Sequence, residues 1–449
     1  MNNTYADAVT STALLTDHYE LTMVQAAMHS GAASRRSVFE LFGRRLPEGR
    51  RYGVVAGTGR FLEALADFTF GPDEIDFLAS RKVVDDDTLS YLSEYRFGGD
   101  IWGYAEGEAF FPGSPVLIVE GTFAEAVLLE TLALSIFNFD CAIAGAASRM
   151  TTAAGSRPCI EMGARRAHEQ AAVAAARAAY ICGFDLTSNL EAGRRHGIPT
   201  TGTSAHSFTL LHDSEDDAFS AQVGALGRNT TLLVDTYDVT AAVERAVRIA
   251  GPELGAIRLD SGDLIAQAHV VRAQLDSLGA TDTRIVVTSD LDEYAIAALA
   301  AAPVDAYGVG TQLVTGSGAP TAGLVYKLVS REDKTGKIVG VAKKSTNKGS
   351  VGGRKYAMRR LDERGVAEAE VIGIGEAPAN DGNDRDLLVK LVENGNVITN
   401  DDPAAARQRH IESLAELPSK ATRLSKGSPV IPTIWIEDSS TMRIVGDLP

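Results

Sequence analysis

The chain is short of cysteine, of net positive charge and of long apolar runs, and each shortage excludes something. Of its 449 residues only three are cysteine, Cys141, Cys159 and Cys182. None stands in a CxxC pair, and three thiols can neither close a disulfide framework nor build a tetrahedral thiolate site by themselves. They read as core thiols of a reducing compartment. Lys and Arg number 43 against 59 Asp and Glu, a formal charge of -16. That balance argues against a nucleic-acid surface and means that an anionic ligand needs a local basic pocket. No uninterrupted run of about 18 apolar residues is present, and Arg177 breaks the most apolar stretch, 171–184. Residues 1–15 carry neither a basic region nor a long apolar segment and do not read as a signal peptide. A soluble, cytoplasmic protein with no nucleic-acid or membrane partner is the expectation.

What is present is a core. Hydrophobic residues make up 45% and charged residues 23%, the balance of a globular protein, and the length predicts roughly 2–4 domains. Residues 1–139 mix strands and helices without a repeat: a helix opening at Thr16 or Asp17, a strand over 37–42, a helix over 57–68 with Phe61, Leu62, Leu65 and Phe68 on one face, and an apolar helix over 125–139. This texture predicts an α+β domain. Over 140–345, short apolar strands (181–185, 198–203, 231–235, 256–260, 284–288, 306–309) alternate with amphipathic helices such as 263–278 and 291–301. Repeated strand–helix units predict an α/β fold with a parallel sheet, either a (β/α) barrel or a doubly wound open sheet. Residues 346–449 read as an extension that packs back on the first domain. Lys343, Lys344, Lys348, Arg354 and Lys355 form a basic segment, a phosphate-binding loop or a solvated hairpin.

Polar clusters follow the strands of the middle region: Thr187 to Asn189, Ser204 to Ser207, Asp235 to Asp238, Asp260 to Asp263, Ser289 with Asp290, and Gly308 to Thr311. In a barrel the carboxyl ends of the strands share one mouth, where chemistry sits; the plainer alternative for Asp263 and Asp290 is a helix cap. The stretch 199–208 leaves one imidazole, His206, among small and hydroxyl residues. That placement suits proton or phosphoryl chemistry, or else a buried histidine satisfied by Ser204 or Ser207. Arg165, Arg166 and Arg258 supply cations, Asp235, Asp260, Asp263 and Asp290 carboxylates, and Gly308, Gly310 and Thr311 backbone donors at the late strand where barrels bind phosphate. Guanidinium groups beside carboxylates fit a phosphorylated, metal-bridged substrate.

Four motifs, TDHYELTM at 16–23, EMGARR at 161–166, GTSAHS at 202–207 and RLDSGD at 258–263, together resemble the nicotinate phosphoribosyltransferase family, in order from about residue 12 to 360. The resemblance implies an N-terminal open-faced sandwich domain on an irregular α/β barrel, in a homodimer with shared active sites. It implies formation of nicotinate mononucleotide and pyrophosphate from nicotinate and phosphoribosyl pyrophosphate, coupled to ATP hydrolysis with Mg²⁺. By this likeness His206 is the phosphorylated histidine and acts with Arg258 and Asp260 in catalysis. Tyr19 reaches the nicotinate ring from the partner subunit, and Asp263 lies near the base and ribose hydroxyls. Ser289, Asp290, Gly308 and Gly310 cradle the 5′-phosphate. Gly163, Arg165, Arg166, Ser188, Thr203, Ser207, Ser261 and Thr311 complete the substrate-binding set, and the metal ligands stay open. Met162 stands where relatives often carry an aromatic residue, and Ser188 where the related nicotinamide enzymes place an aspartate. Rival readings are a nicotinamide or quinolinate phosphoribosyltransferase, a barrel lyase using Lys327 as a Schiff base, and a catalytically silent paralogue.

Overall fold

Phe39, Leu41 and Phe42 are buried in the strand Arg36–Gly43, which is inaccessible on both faces over its second half. A strand buried in this way must lie inside a sheet. It pairs antiparallel with Leu324–Glu332 on one side and Leu117–Thr122 on the other. The computed structural model describes residues 11–343, 350–399, 402–438 and 441–444; Lys344 and Lys348 of the expected basic segment lie outside them. The chain divides into two compact units, residues 1–142 with 321–449, and residues 143–320.

The first unit holds a seven-stranded antiparallel sheet in the order Ile338–Gly340, Leu324–Glu332, Arg36–Gly43, Leu117–Thr122, Asp100–Tyr104, Leu388–Glu393, Asn396–Val397. A five-stranded sheet from Lys355–Leu361, Ala367–Ile374 and their neighbours belongs to the same unit. The chain returns here at Thr321, not after residue 345 as expected, because Leu324–Glu332 completes the first sheet and Tyr326 stacks on Phe39 at 5.0 Å. The returning segment is tied down by buried ion pairs. Lys355 lies 2.7 Å from Glu40, and Arg359 lies 3.6 Å from Glu108. Lys327 sits in this antiparallel sheet, 3.5 Å from Glu130, so it does not occupy the late-strand position that the Schiff-base reading requires.

The apolar helix expected over 125–139 is the 25-residue helix Glu130–Ala154. Together with the short helix before it, Phe123–Ala154 is long and apolar enough by length and composition to cross a membrane. Thr131, Ser135, Asn138 and Asp140 interrupt its sequence, which is why no continuous apolar run is visible. It is a core helix: 67% of its most apolar window is buried, and Leu132, Phe137 and Cys141 lie in the main cluster of the first unit. The three cysteines are buried and form no disulfide among the described residues.

The second unit is built on a six-stranded parallel sheet in the order Leu186–Thr187, Cys159–Glu161, Ala306–Val309, Arg284–Ser289, Ala256–Leu259, Thr231–Leu233. Helices between the strands pack against the sheet, Glu169–Ile181 buried on nearly every side and others along one stripe. Val239–Ala250 buries Ala242, Val243, Ala246, Val247 and Ala250 and is capped by Asp238. Three details differ from expectation. The alanine-rich helix Glu169–Ile181 consumes the start of the strand expected over 181–185, and the strand is Leu186–Thr187; alanine carries a helix further than its neighbours would. Residues 198–203 contribute only a single parallel bridge, Thr200 to Thr187, since Pro199 cannot donate to a ladder. The strand Cys159–Glu161 is too short for its periodicity to register.

Candidate active site

A parallel sheet delivers all its carboxyl ends to one edge. Here that edge receives Glu161 and the turn after it, Thr187 with Ser188, Asp235, Asp260, Ser289 with Asp290, and Gly310 with Thr311. His206 is not at a strand end. It is the first residue of the short helix His206–Leu211, with Ala205 as N-cap, and neither Ser204 nor Ser207 satisfies it. Its Nδ1 lies 3.1 Å from Thr236 Oγ1. Its Nε2 faces Asp235 at 3.9 Å and Asp260 at 3.8 Å, and 40% of the side chain is open to solvent.

Asp235 joins these groups. Its side chain is 3% exposed. Oδ2 accepts from the Asp260 backbone N–H at 2.9 Å and from Ser261 Oγ at 2.7 Å, while the buried Oδ1 has no hydrogen-bond partner among the described residues. Asp260 in turn accepts from Thr288 Oγ1. Arg258, from the neighbouring strand, donates to Thr203 Oγ1 at 3.1 Å, and its buried Nε is unbonded among the described residues. Burial lowers the Arg258 pKa; the carboxylates of Asp260 and Asp235 oppose that shift, and the Arg165 charge adds to it. A guanidinium stays charged through such a shift. The site therefore holds a desolvated cation with an unused donor beside a carboxylate with an unused acceptor, and a buried polar group left unpaired is costly unless a ligand satisfies it.

The remaining expected residues are placed as follows. Gly163 precedes the single turn Ala164–Arg166, whose Arg165 and Arg166 are exposed. Ser188 is exposed and donates its N–H to Glu161 O at 2.8 Å. Ser207 points from the helix that His206 opens, and Asp263 caps Leu264–Ser277 through Ala266 N–H at 3.1 Å. Asp290 does not cap the next helix; Asp292 does, accepting from Tyr294 and Ala295 at 2.9 and 2.8 Å. Gly308 has no room for a side chain: a Cβ there would lie 2.4 Å from Thr288 Cγ2 and 2.8 Å from Met162 Sδ. Met162 thus fills the space over Gly308. Tyr19 belongs to the first unit, on the helix His18–His29, and is 45% exposed. Desolvation, then the charges of Glu130, Glu20 and Asp17, push its hydroxyl up to about 12. Among the described residues no group of three or more His, Cys, Asp or Glu is arranged to hold a metal.

Sequence reasoning overlooked Glu161 and Thr288 as members of this edge, and gave Thr187 and Thr236 no role although both lay in its polar clusters. The threonines carry no local signal; they matter through partners some 26 to 30 residues away. Glu161 lay inside a quoted motif, and an acidic residue ending an apolar pair was the available sign.

Comparison with known proteins gives a consistent picture. Residues 14–138 match the family model for the nicotinate phosphoribosyltransferase (NAPRTase) N-terminal domain. The chain is 58% identical over 429 residues to nicotinate phosphoribosyltransferase pncB1 of Mycobacterium tuberculosis, covering 94% of each. It is 38% identical over 384 residues to nicotinate phosphoribosyltransferase of Bacillus subtilis, covering 83% of this chain and 78% of that one. Among solved structures, human nicotinic acid phosphoribosyltransferase superposes with a TM-score of 0.79 at 26% identity, over 94% of this chain and 98% of the other.

Proposed function

The chain belongs to the nicotinate phosphoribosyltransferase family, and from that premise we propose that it makes nicotinate mononucleotide and pyrophosphate from nicotinate and the magnesium salt of phosphoribosyl pyrophosphate, with ATP hydrolysis coupled through His206. The observation that carries this reading is the pairing of unused groups at the sheet edge: among the described residues, the buried Nε of half-buried Arg258 and the buried Oδ1 of Asp235 are both unbonded, and Asp235 faces His206.

The pyridine nitrogen attacks the anomeric carbon as the bond to pyrophosphate breaks, so positive charge develops on the ribose ring and negative charge on the leaving group. Arg258 offers the cation that receives the nicotinate carboxylate and orients the ring. Asp260, which accepts from Thr288, and Asp263 are the carboxylates that take the ribose hydroxyls in this reading. Ser289, Asp290, Gly308, Gly310 and Thr311 cradle the 5′-phosphate, the lack of a side chain at Gly308 being what lets Thr288 and Met162 pack against this strand. Asp235 and Asp260 are too few to hold a cation alone, so magnesium arrives with the substrate's own phosphate oxygens. Holding the reactants in line is the larger part of such catalysis.

The coupling step uses His206. Thr236 fixes Nδ1, leaving Nε2 open to attack the γ-phosphorus of ATP; the bond to ADP breaks as the N–P bond forms, and water later cleaves the phosphohistidine. The parallel sheet serves as the wall of an irregular barrel, and two copies form a dimer in which exposed Tyr19 enters the partner's site. A panel of nicotinate, nicotinamide and quinolinate with phosphoribosyl pyrophosphate, with and without ATP, tests the whole reading. Product from nicotinate that rises with ATP is expected. Equal use of nicotinamide, or no product from nicotinate, overturns it.

A further inference from the structure

We propose that Glu161 is a positioning residue of this site, locking together the two segments that flank the first strand of the parallel sheet; the inference rests on the reading just given. Glu161 is the last residue of Cys159–Glu161 and is 1% exposed. A buried carboxylate is costly unless its oxygens are satisfied. Both are: Oε1 accepts from the Gly163 N–H, and Oε2 accepts from Thr187 Oγ1 at 2.5 Å. Each contact orders a different segment.

The first fixes the turn that presents Arg165 and Arg166. Gly163 N–H is pinned to Glu161, and Arg166 N–H returns to Gly163 O at 2.8 Å to close the turn. A Cβ on Gly163 would lie 2.2 Å from Val314 Cγ1, so the turn is pressed against the short helix Thr311–Val314. The second contact fixes the Ser188 segment. Thr187 Oγ1 donates to Glu161 and accepts from Asn189 N–H at 3.0 Å, while Ser188 N–H donates to Glu161 O at 2.8 Å. Asn189 then caps Leu190–His196 through Ala192 N–H at 3.1 Å. One carboxylate therefore sets the distance between the arginine turn and Ser188, without touching the ligand itself.

A glutamine at 161 accepts at one oxygen only and turns an amide toward the second donor, so it keeps one segment and loosens the other. Thr187→Val removes the hydroxyl that joins the two segments at almost constant shape. Misplacing binding groups by about 1 Å costs on the order of 10- to 100-fold. The expected result is a KM for nicotinate raised about tenfold in Thr187→Val, with kcat and the KM for phosphoribosyl pyrophosphate changed less than about twofold, and with near-wild-type values restored in Thr187→Ser; Glu161→Gln, which also weakens the hold on the arginine turn, is expected to raise the KM of at least one substrate by a similar factor. Thermal unfolding of each variant accompanies the kinetics; should Glu161→Gln fail to fold, the Thr187 pair carries the test. A wild-type protein that forms no nicotinate mononucleotide overturns the proposed activity and with it the substrate. An active wild type whose Thr187→Val variant keeps its nicotinate KM, or loses both substrates equally, overturns the positioning role alone.

Discussion

At His206 the two ring nitrogens have separate surroundings. Nδ1 is 3.1 Å from Thr236 Oγ1, which sets the ring orientation, and Nε2 is left to face Asp235, Asp260 and solvent. An asparagine at this position can keep the polar contact but offers no nucleophilic nitrogen. His206→Asn is expected to abolish ATP-dependent labelling and coupled turnover while a slow uncoupled transfer persists, because substrate positioning rests on other residues. Acid-labile phosphoenzyme formed from labelled ATP is the measurement, and its survival in the variant would refute the assignment. Ser188 speaks to acid against amide. An aspartate at this point of the rim would set a like charge near the nicotinate carboxylate, at a cost on the order of 1–4 kcal/mol depending on the local dielectric. Each ~1.4 kcal/mol is tenfold in binding, so Ser188→Asp should raise the nicotinate KM about tenfold or more and admit nicotinamide weakly. An unchanged nicotinate KM counts against this placement of the ring.

Helix His18–His29 meets helix Glu130–Ala154 through a buried acid. Glu20 accepts from Thr131 N–H at 3.0 Å, from Thr131 Oγ1 and from Thr16 Oγ1. Burial outweighs these bonds and raises its carboxyl from 4.5 to about 7. A folded pKa above the unfolded one stabilises the protein fully below the unfolded value, and that contribution disappears as pH rises through the folded one. Relative to Glu20→Gln, which does not titrate, the wild type should therefore lose on the order of 1–3 kcal/mol of unfolding free energy between about pH 4.5 and pH 8. Urea unfolding of both proteins at the two pH values measures it, and a difference independent of pH would remove the argument. The same scale shows what could be read beforehand. The helix Thr58–Ala66 and the strands Thr231–Leu233, Ala256–Leu259, Arg284–Ser289 and Ala306–Val309 were legible, since each is an apolar pattern closed by a polar cluster. The strands Cys159–Glu161 and Leu186–Thr187 were not, because three and two residues carry no period and are defined by their neighbours in the sheet. His206 was found by its chemistry, while its setting was misjudged: the helix that it opens and the Thr236 contact depend on a segment 30 residues away. The cap at Asp292 in place of Asp290 is a choice between two adjacent acids that only the backbone path makes.

For the whole molecule, the decisive question is where Tyr19 works. It lies on the helix His18–His29 of the first unit and presents an aromatic ring that is 45% exposed, whereas His206, Arg258 and Asp260 all lie in the second. Single exposed aromatics are ordinary on protein surfaces, and Phe77, Tyr237 and Tyr294 are exposed as well; it is the family motif around Tyr19 that makes it the candidate for a partner's site. Two copies related by a two-fold axis bury the same surface reciprocally, so each dimer would contain two sites, each drawing Tyr19 from one copy and His206 from the other. Tyr19→Ala and His206→Ala proteins should each be inactive in ATP-coupled synthesis. In a hybrid of the two, one site combines both lesions and the other combines both intact residues. Random exchange makes half of the dimers hybrid, and a two-fold arrangement then predicts recovery of about a quarter of the wild-type coupled rate. If each site were built within one copy, every site in the mixture would carry one lesion and no activity would return. Subunit exchange, followed by mass measurement of differently tagged chains, must be shown to have occurred; recovery near a quarter then supports the shared site, and none with proven exchange excludes it.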